Sequence, residues 1–308
     1  MMSVGSVWLR LETNTCRFQQ GQMPLSMLKA AQRKMSSCPV TVTARWCELL
    51  TLLLLVPATA QAQSNSRELV SKMVAKELEA QKQPRYWMYL DSKKSPARLE
   101  VTRVVQTPQC WLTWPLSING HPPTEGERKH AREQIEHLVS DSDVRKKNRD
   151  EIDSDRRKSA EMLKMLPDAF LFSRDGRQGK SIRLKFRPNP EYHPTTNESK
   201  VFHSMDGVLL IDAKQTRLAQ LSGTLASDVD FGFGILGKLK KRGTFAVTQS
   251  EVVPGDWEVS VLDVHISGRA LFFHTIGEQQ HEVRGQFKPV PSDLTLAKAA
   301  TMATRKSN

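Results

Sequence analysis

Three groups of residues have types and spacings that chemistry can use. The first, Gly232-Phe233-Gly234-Ile235-Leu236-Gly237-Lys238, matches G-x-G-x-x-G. In a dinucleotide site that pattern follows a strand, opens a helix and belongs to a βαβ unit, so that backbone N–H groups meet a pyrophosphate. Here strand-type segments flank it on both sides, and Lys238-Leu239-Lys240-Lys241-Arg242-Gly243 has the composition of a turn or hairpin tip. The glycines are therefore read as bends, bulges or points of close backbone approach in a sheet, and a nucleotide site is rejected. The second group is histidine. Asp263 and His265 share one face of a strand, with His274 and His281 in the strands that follow. Imidazole and carboxylate suit zinc, but no H-E-x-x-H, C-x-x-C or H-x-H spacing is present, so surface or hydrogen-bonded histidines are expected. The third group is nucleophilic. Ser222-Gly223 and Ser267-Gly268 do not complete G-x-S-x-G. Cys110 stands in a strand-like run with no basic partner indicated by spacing, which is the pattern of a small buried apolar residue. Paired carboxylates occur only in a charged helical stretch, where a solvated face is the default. The expectation is a protein without catalytic residues, cofactor or metal, hence not an enzyme.

The segment 207–290 must organise whatever function remains. Runs rich in Val, Leu, Ile, Phe and Trp alternate with Gly, Asp, Pro and Lys clusters, as in hairpin-linked strands. Strands are expected at 208–212, 216–226, 243–252, 257–266, 269–276 and 281–288. Phe245 and Val247 alternate with Thr244, Ala246 and Thr248, and Trp257, Val259 and Val261 alternate with Glu258 and Ser260. A period of two buries one face of a strand. Leu262, Val264 and Ile266 occupy the second parity, so the strand holding them is read as covered on both faces. Short links make neighbours antiparallel, and a meander of this length tends to curl.

Upstream, Leu69, Met73 and Leu78, with Val70 and Val74 beside them, mark an amphipathic helix over 64–82 that ends at Gln83-Pro84. Strands follow at 86–90, 99–105 and 110–118, with a turn at Asn119-Gly120. The segment 122–166 interrupts them. Thr124 and Glu127 form a capping box, Ala131, Ile135 and Leu138 make a narrow apolar stripe, and a second helix over 144–166 carries Ile152, Met162 and Met165 among many charges. A solvated helical hairpin is expected there, ahead of a lid over a cavity mouth. Two more strands surround Asp175-Gly176, and a Pro-rich connection leads to Asn197-Glu198-Ser199, a glycosylation-type triplet given no weight. A short helical tail follows Ser292-Asp293-Leu294.

Composition bounds the partners. The formal net charge is +12, but the 45 basic residues are interspersed with 33 acids, and the tight cluster Lys238, Lys240, Lys241 and Arg242 has no aromatic ladder. A solvated surface, with no nucleic acid bound, is the reading. Residues 45–63, RWCELLTLLLLVPATAQAQ, place a basic residue, an apolar run, Pro57 and Ala60-Gln61-Ala62 in the order of a secretory signal peptide. The run is too short to span a bilayer. Cleavage near Ala62/Gln63 is expected, with the true start at Met27 or Met35 and no transmembrane span in the mature chain. Cys16, Cys38 and Cys47 leave with the leader, so Cys110 has no disulfide partner. The division is 1–62, upstream extension and leader; 63–290, one folded domain with the insertion 122–166; and 291–308, a tail.

An exported chain with an amphipathic helix at 69–78, strands at 99–116 and a meander from Gly207-Val208-Leu209-Leu210-Ile211-Asp212 to Phe287 resembles the LolA-like superfamily of periplasmic lipoprotein and lipid carriers. The resemblance implies an α+β fold: a curved, mostly antiparallel half-barrel sheet with an N-terminal helix, to which this chain adds the charged helical insertion. It implies a periplasmic cell-envelope protein that holds a lipid acyl chain or a lipidated partner in an apolar cavity, as in outer-membrane lipoprotein sorting. Related sheets serve as envelope-sensing or protein-interaction modules without a ligand cavity, and that alternative stays open. Wall residues expected for a lipid cavity are Trp114, Phe170, Phe172, Phe245, Trp257 and Phe272.

Overall fold

The computed structural model describes residues 58–83, 85–231, 237–270 and 274–305. Its helices are α1 (Ala58–Lys82), α2 (Glu125–Ser140), α3 (Ser142–Ala169), α4 (Asn197–His203) and α5 (Leu296–Thr304). The strands in chain order are β1 (Tyr86–Lys94), β2 (Leu99–Gln106), β3 (Trp111–Ile118), β4 (Phe170–Gln178), β5 (Ser181–Pro188), β6 (Met205–Asp212), β7 (Leu218–Leu225), β8 (Val229–Phe231), β9 (Gly237–Leu239), β10 (Thr244–Val253), β11 (Asp256–Ala270) and β12 (His274–Val290). The fold is α+β. One large antiparallel sheet, not closed into a barrel, has the order β3-β2-β1-β12-β11-β10-β7-β6-β5-β4, with β9 on β11 and β8 on β9. None of the described helices is long and apolar enough to cross a membrane.

Strands β3 and β4 lie at opposite edges of this sheet, although only the helical hairpin separates them in sequence. The insertion therefore has to carry the chain from one edge to the other. Asn148 accepts a hydrogen bond from the Trp111 backbone N–H at β3 (3.1 Å), whereas Leu166 and Ala169 are buried in the core shared with β4. A 28-residue helix is about 42 Å long, enough for that crossing. The hairpin is thus more than a solvated projection. Thr124 caps α2 with the expected box to Glu127, and Ala131 and Ile135 are buried. The sparse apolar positions of α3 are concentrated at the end that reaches the core.

The alternation in β11 has a different cause from the two-sided burial expected of it. Thr248 pairs with Val261, but the next residue, Gln249, pairs with Val259. The extra residue, Ser260, is a β-bulge, and a bulge exchanges the two faces of a strand. Val259, Leu262, Val264 and Ile266 consequently all enter one core cluster, while Asp263 and His265 stay exposed.

A second difference concerns Ser267-Gly268, expected to end a strand. Strand β11 runs through it to Ala270. Gly268 pairs with Leu239 of β9, and a Cβ at Gly268 would stand 2.3 Å from the Lys238 carbonyl oxygen. This glycine serves close approach of the neighbouring antiparallel strand β9, which in sequence looks the same as a turn. Gly237 opens strand β9, so a strand follows the G-x-G-x-x-G element where a nucleotide fold would have a helix. Residues 232–236 of that element lie outside the described residues. Asn197-Glu198-Ser199 begins α4, capped by Thr196, with Ser199 buried.

Among the described residues, three clusters form the interior. The largest joins Val70, Met73 and Val74 of α1 and Leu166 of α3 to the inner faces of β4–β7, β10 and β11. A second packs Ile135 of α2 and Ala299 and Ala303 of α5 on Val105 and Leu112. The chain after Val290 is thus held by packing through Ala303. A third, Trp87, Tyr89 and Val104 with Phe287, uses the alternate residues of β1 and β2 and so lies on their other face.

A cleft between the charged helix and the sheet

The apolar stripe of α1 positions a carboxylate in the interior. Glu77 lies one turn beyond Met73 and is carried onto the same face, where it is 3% exposed. Its partner, Arg217, is the residue before β7. Arg217 donates from Nε (2.7 Å) and Nη2 (3.1 Å) to the two Glu77 oxygens, and the Leu218 N–H donates to Oε1 at 2.9 Å. This bidentate pair ties α1 to the sheet. Gln249 of β10 completes the group, its Nε2 donating to Glu77 Oε2 at 3.5 Å.

Beside this clamp the space between α3 and the sheet stays open. A small apolar compartment is roofed by Met162, Leu163 and Leu166 and floored by Leu218, Leu221, Phe245, Val247 and Val259. It adjoins a small, more polar compartment bounded by Tyr86, Trp111, Arg156, Trp257 and Glu258, and Gln81 and Gln249 border both. Charges around the polar compartment are largely matched. Arg85 meets Asp256 at 2.7 Å, Arg156 meets Asp153 at 3.5 Å, and Glu77 is held by Arg217. Burial raises the Glu258 carboxyl above the usual range, although the Trp87 indole N–H donates to it at 2.8 Å. The Trp257 indole donates to Gln215 at 3.1 Å. Among the described residues, no array of general acid, base and nucleophile faces this cleft.

Of the residues expected from sequence to form a wall, Phe245 floors the apolar compartment and Trp257 borders the polar one. Phe170 and Phe172 pack with Phe186 in closed aromatic core; the Phe170–Phe186 centroids are 4.9 Å apart. Trp114 belongs to the separate cluster under α2 and α5. Phe272 lies outside the described residues. Sequence reasoning missed Leu163, Glu77 and Gln249. The sparse apolar positions of α3, Met162 among them, were visible, but their destination depends on which edge of the sheet the helix reaches.

The other chemical candidates are separated from the cleft. Among the described residues no group of three or more His, Cys, Asp and Glu side chains could hold a metal ion. His281 and Asp263 form an exposed cross-strand hydrogen bond. Cys110 is buried, and burial pushes its thiol pKa up, away from nucleophilic thiolate.

A second buried charge cluster lies within the sheet. Register pairs Asp91 of β1 with Arg284 of β12, and Arg284 Nε donates to Glu282 at 2.5 Å. Burial opposes charge on Arg284, but Tyr89, Glu282 and Asp91 outweigh it and raise its pKa. Burial, then Glu282, pushes the Asp91 carboxyl up from 3.8 to about 6, against the pull of Arg284 and Lys93. Between those values the folded chain holds a proton that the unfolded chain has released. Stability carried by this group is therefore full below that interval and falls as pH rises through it. Asp91→Asn is expected to flatten this part of the pH–stability curve by on the order of 2 kcal/mol, read from urea denaturation on either side of the interval. An unchanged slope would place the titration elsewhere.

No family model matches the chain, and no curated protein or solved structure matches it significantly.

Proposed function

We propose that this is an exported, periplasmic carrier of a lipid acyl chain or lipidated partner, built as a LolA-like half-barrel with α1 as its N-terminal helix. The observation that carries the reading is a pair of adjoining compartments, an apolar one under α3 and a more polar one, with Gln81 and Gln249 lining both, the layout an amphiphile requires. Each methylene drawn from water into the apolar part contributes about 0.8 kcal/mol before ordering costs. In this reading α3 acts as the lid, because its Met162 and Leu163 are only partly buried and form the roof. Cleavage near Ala62/Gln63 would leave every α1 residue that packs in the core. The exposed acidic and basic face of α3 around Asp143, Lys147 and Asp150 favours a second reading, an envelope-sensing or protein-interaction module.

Titration of the purified protein with a fluorescent fatty acid, competed with phospholipid and with a lipidated peptide, separates the two. Saturable micromolar binding is expected. Met162→Trp fills the apolar compartment and should weaken it about tenfold, the equivalent of roughly two methylenes. Absence of saturable binding would leave the interaction module.

A further inference from the structure

The junction between the two compartments holds a buried acceptor without a partner. Gln249 Oε1 is shut off from solvent and accepts no hydrogen bond from any described residue. Its orientation is imposed by its neighbour. The Glu77 carboxylate only accepts, so the amide NH2 of Gln249 turns toward it and the carbonyl oxygen must point away. An amide oxygen left unpaired in a closed site is costly, and native proteins rarely leave one so. The charge beside it is already matched, Glu77 by Arg217. A carboxylate or phosphate placed there would face the Gln249 oxygen and the Glu77 carboxylate with no free cation at the junction among the pairs described.

We infer that Gln249 reads the head of the bound amphiphile, and that the ligand class is an acyl chain followed by an uncharged hydrogen-bond donor, an amide N–H or a hydroxyl. This rests on the carrier reading and narrows it. The chain would occupy the compartment under Met162, and the donor would meet Gln249 Oε1 where the apolar lining ends.

The test is competition against the fluorescent probe by matched single-chain ligands: an N-dodecanoyl peptide, 1-dodecanoylglycerol, methyl dodecanoate and dodecanoate. The first two carry donors and distinguish an acylated chain terminus from a glyceride; the ester and the carboxylate carry none. At least one donor ligand is expected to bind about tenfold more tightly than the methyl ester, the worth of one buried hydrogen bond. Gln249→Met keeps the side-chain length and should bring that ratio close to one. Equal binding of donor ligands and ester to the unsubstituted protein, or a ratio unmoved by Gln249→Met, overturns the inference and leaves the carrier reading standing. If no ligand displaces the probe and the probe itself does not bind, the carrier reading fails and this inference with it.

Discussion

Glu77→Ala is expected to cost about 3–5 kcal/mol of folding stability, the usual loss when one partner of a buried ion pair is removed. The reason lies less in the pair's own attraction than in what is left behind. Arg217 is 9% exposed and donates to Glu77 through two nitrogens, and the Leu218 N–H donates to the same carboxylate. Truncation leaves a buried guanidinium and a backbone donor without their acceptor. It also releases α1 from the sheet beside the cleft, so the acyl-chain binding proposed above should weaken together with stability. The double substitution Glu77→Met/Arg217→Met removes both charges and should recover much of the loss, since an apolar replacement of a buried pair is often neutral. Chemical denaturation of the single and double variants checks this. A loss below about 1 kcal/mol for Glu77→Ala, the value typical of exposed pairs, would show that water reaches the clamp.

Arg284→Met should be of similar size at neutral pH, about 3–5 kcal/mol, because it strands two carboxylates. Glu282 is 1% and Asp91 7% exposed, and one Asp91 oxygen already lacks a hydrogen bond among the described residues. The substitution also removes the guanidinium that lies 5.8 Å over the Tyr89 ring. Without the cation the Asp91 carboxyl loses the charge that holds its pKa down and stays protonated to higher pH in the folded chain. The folded state then binds more protons than the unfolded one, so the penalty shrinks as pH falls and grows as it rises. Denaturation across mildly acidic to neutral pH measures that slope. A penalty independent of pH would mean that packing, and not charge, makes Arg284 necessary.

Local order was legible in the residues themselves. The α1 stripe of Val70, Met73 and Val74, the Thr124–Glu127 capping box, the Asn119-Gly120 turn and the Phe245/Val247 alternation depend on neighbours within a few positions, and each stands in the structure where its pattern places it. Cys110 could likewise be assigned to the interior from its apolar strand context. Three features depended on distant partners. The parity change in β11 exists only because Gln249 and Thr248 pair with Val259 and Val261, and a bulge leaves no mark in a single strand's composition. Gly268 serves β9, about thirty residues away in the chain, yet its residue type is equally that of a turn. The cleft arises because β1–β3 join the sheet beside β12, which puts β3 and β4 at opposite edges and stretches α3 between them. That pairing brings Met162 over Phe245 and sets Gln249 beside Glu77. Propensity and periodicity act over one or two turns of chain, and they determined the elements. Which strand lies beside which is decided by burial summed over the whole sheet, so only the tertiary structure could decide where an apolar helix face and an unpaired amide would meet.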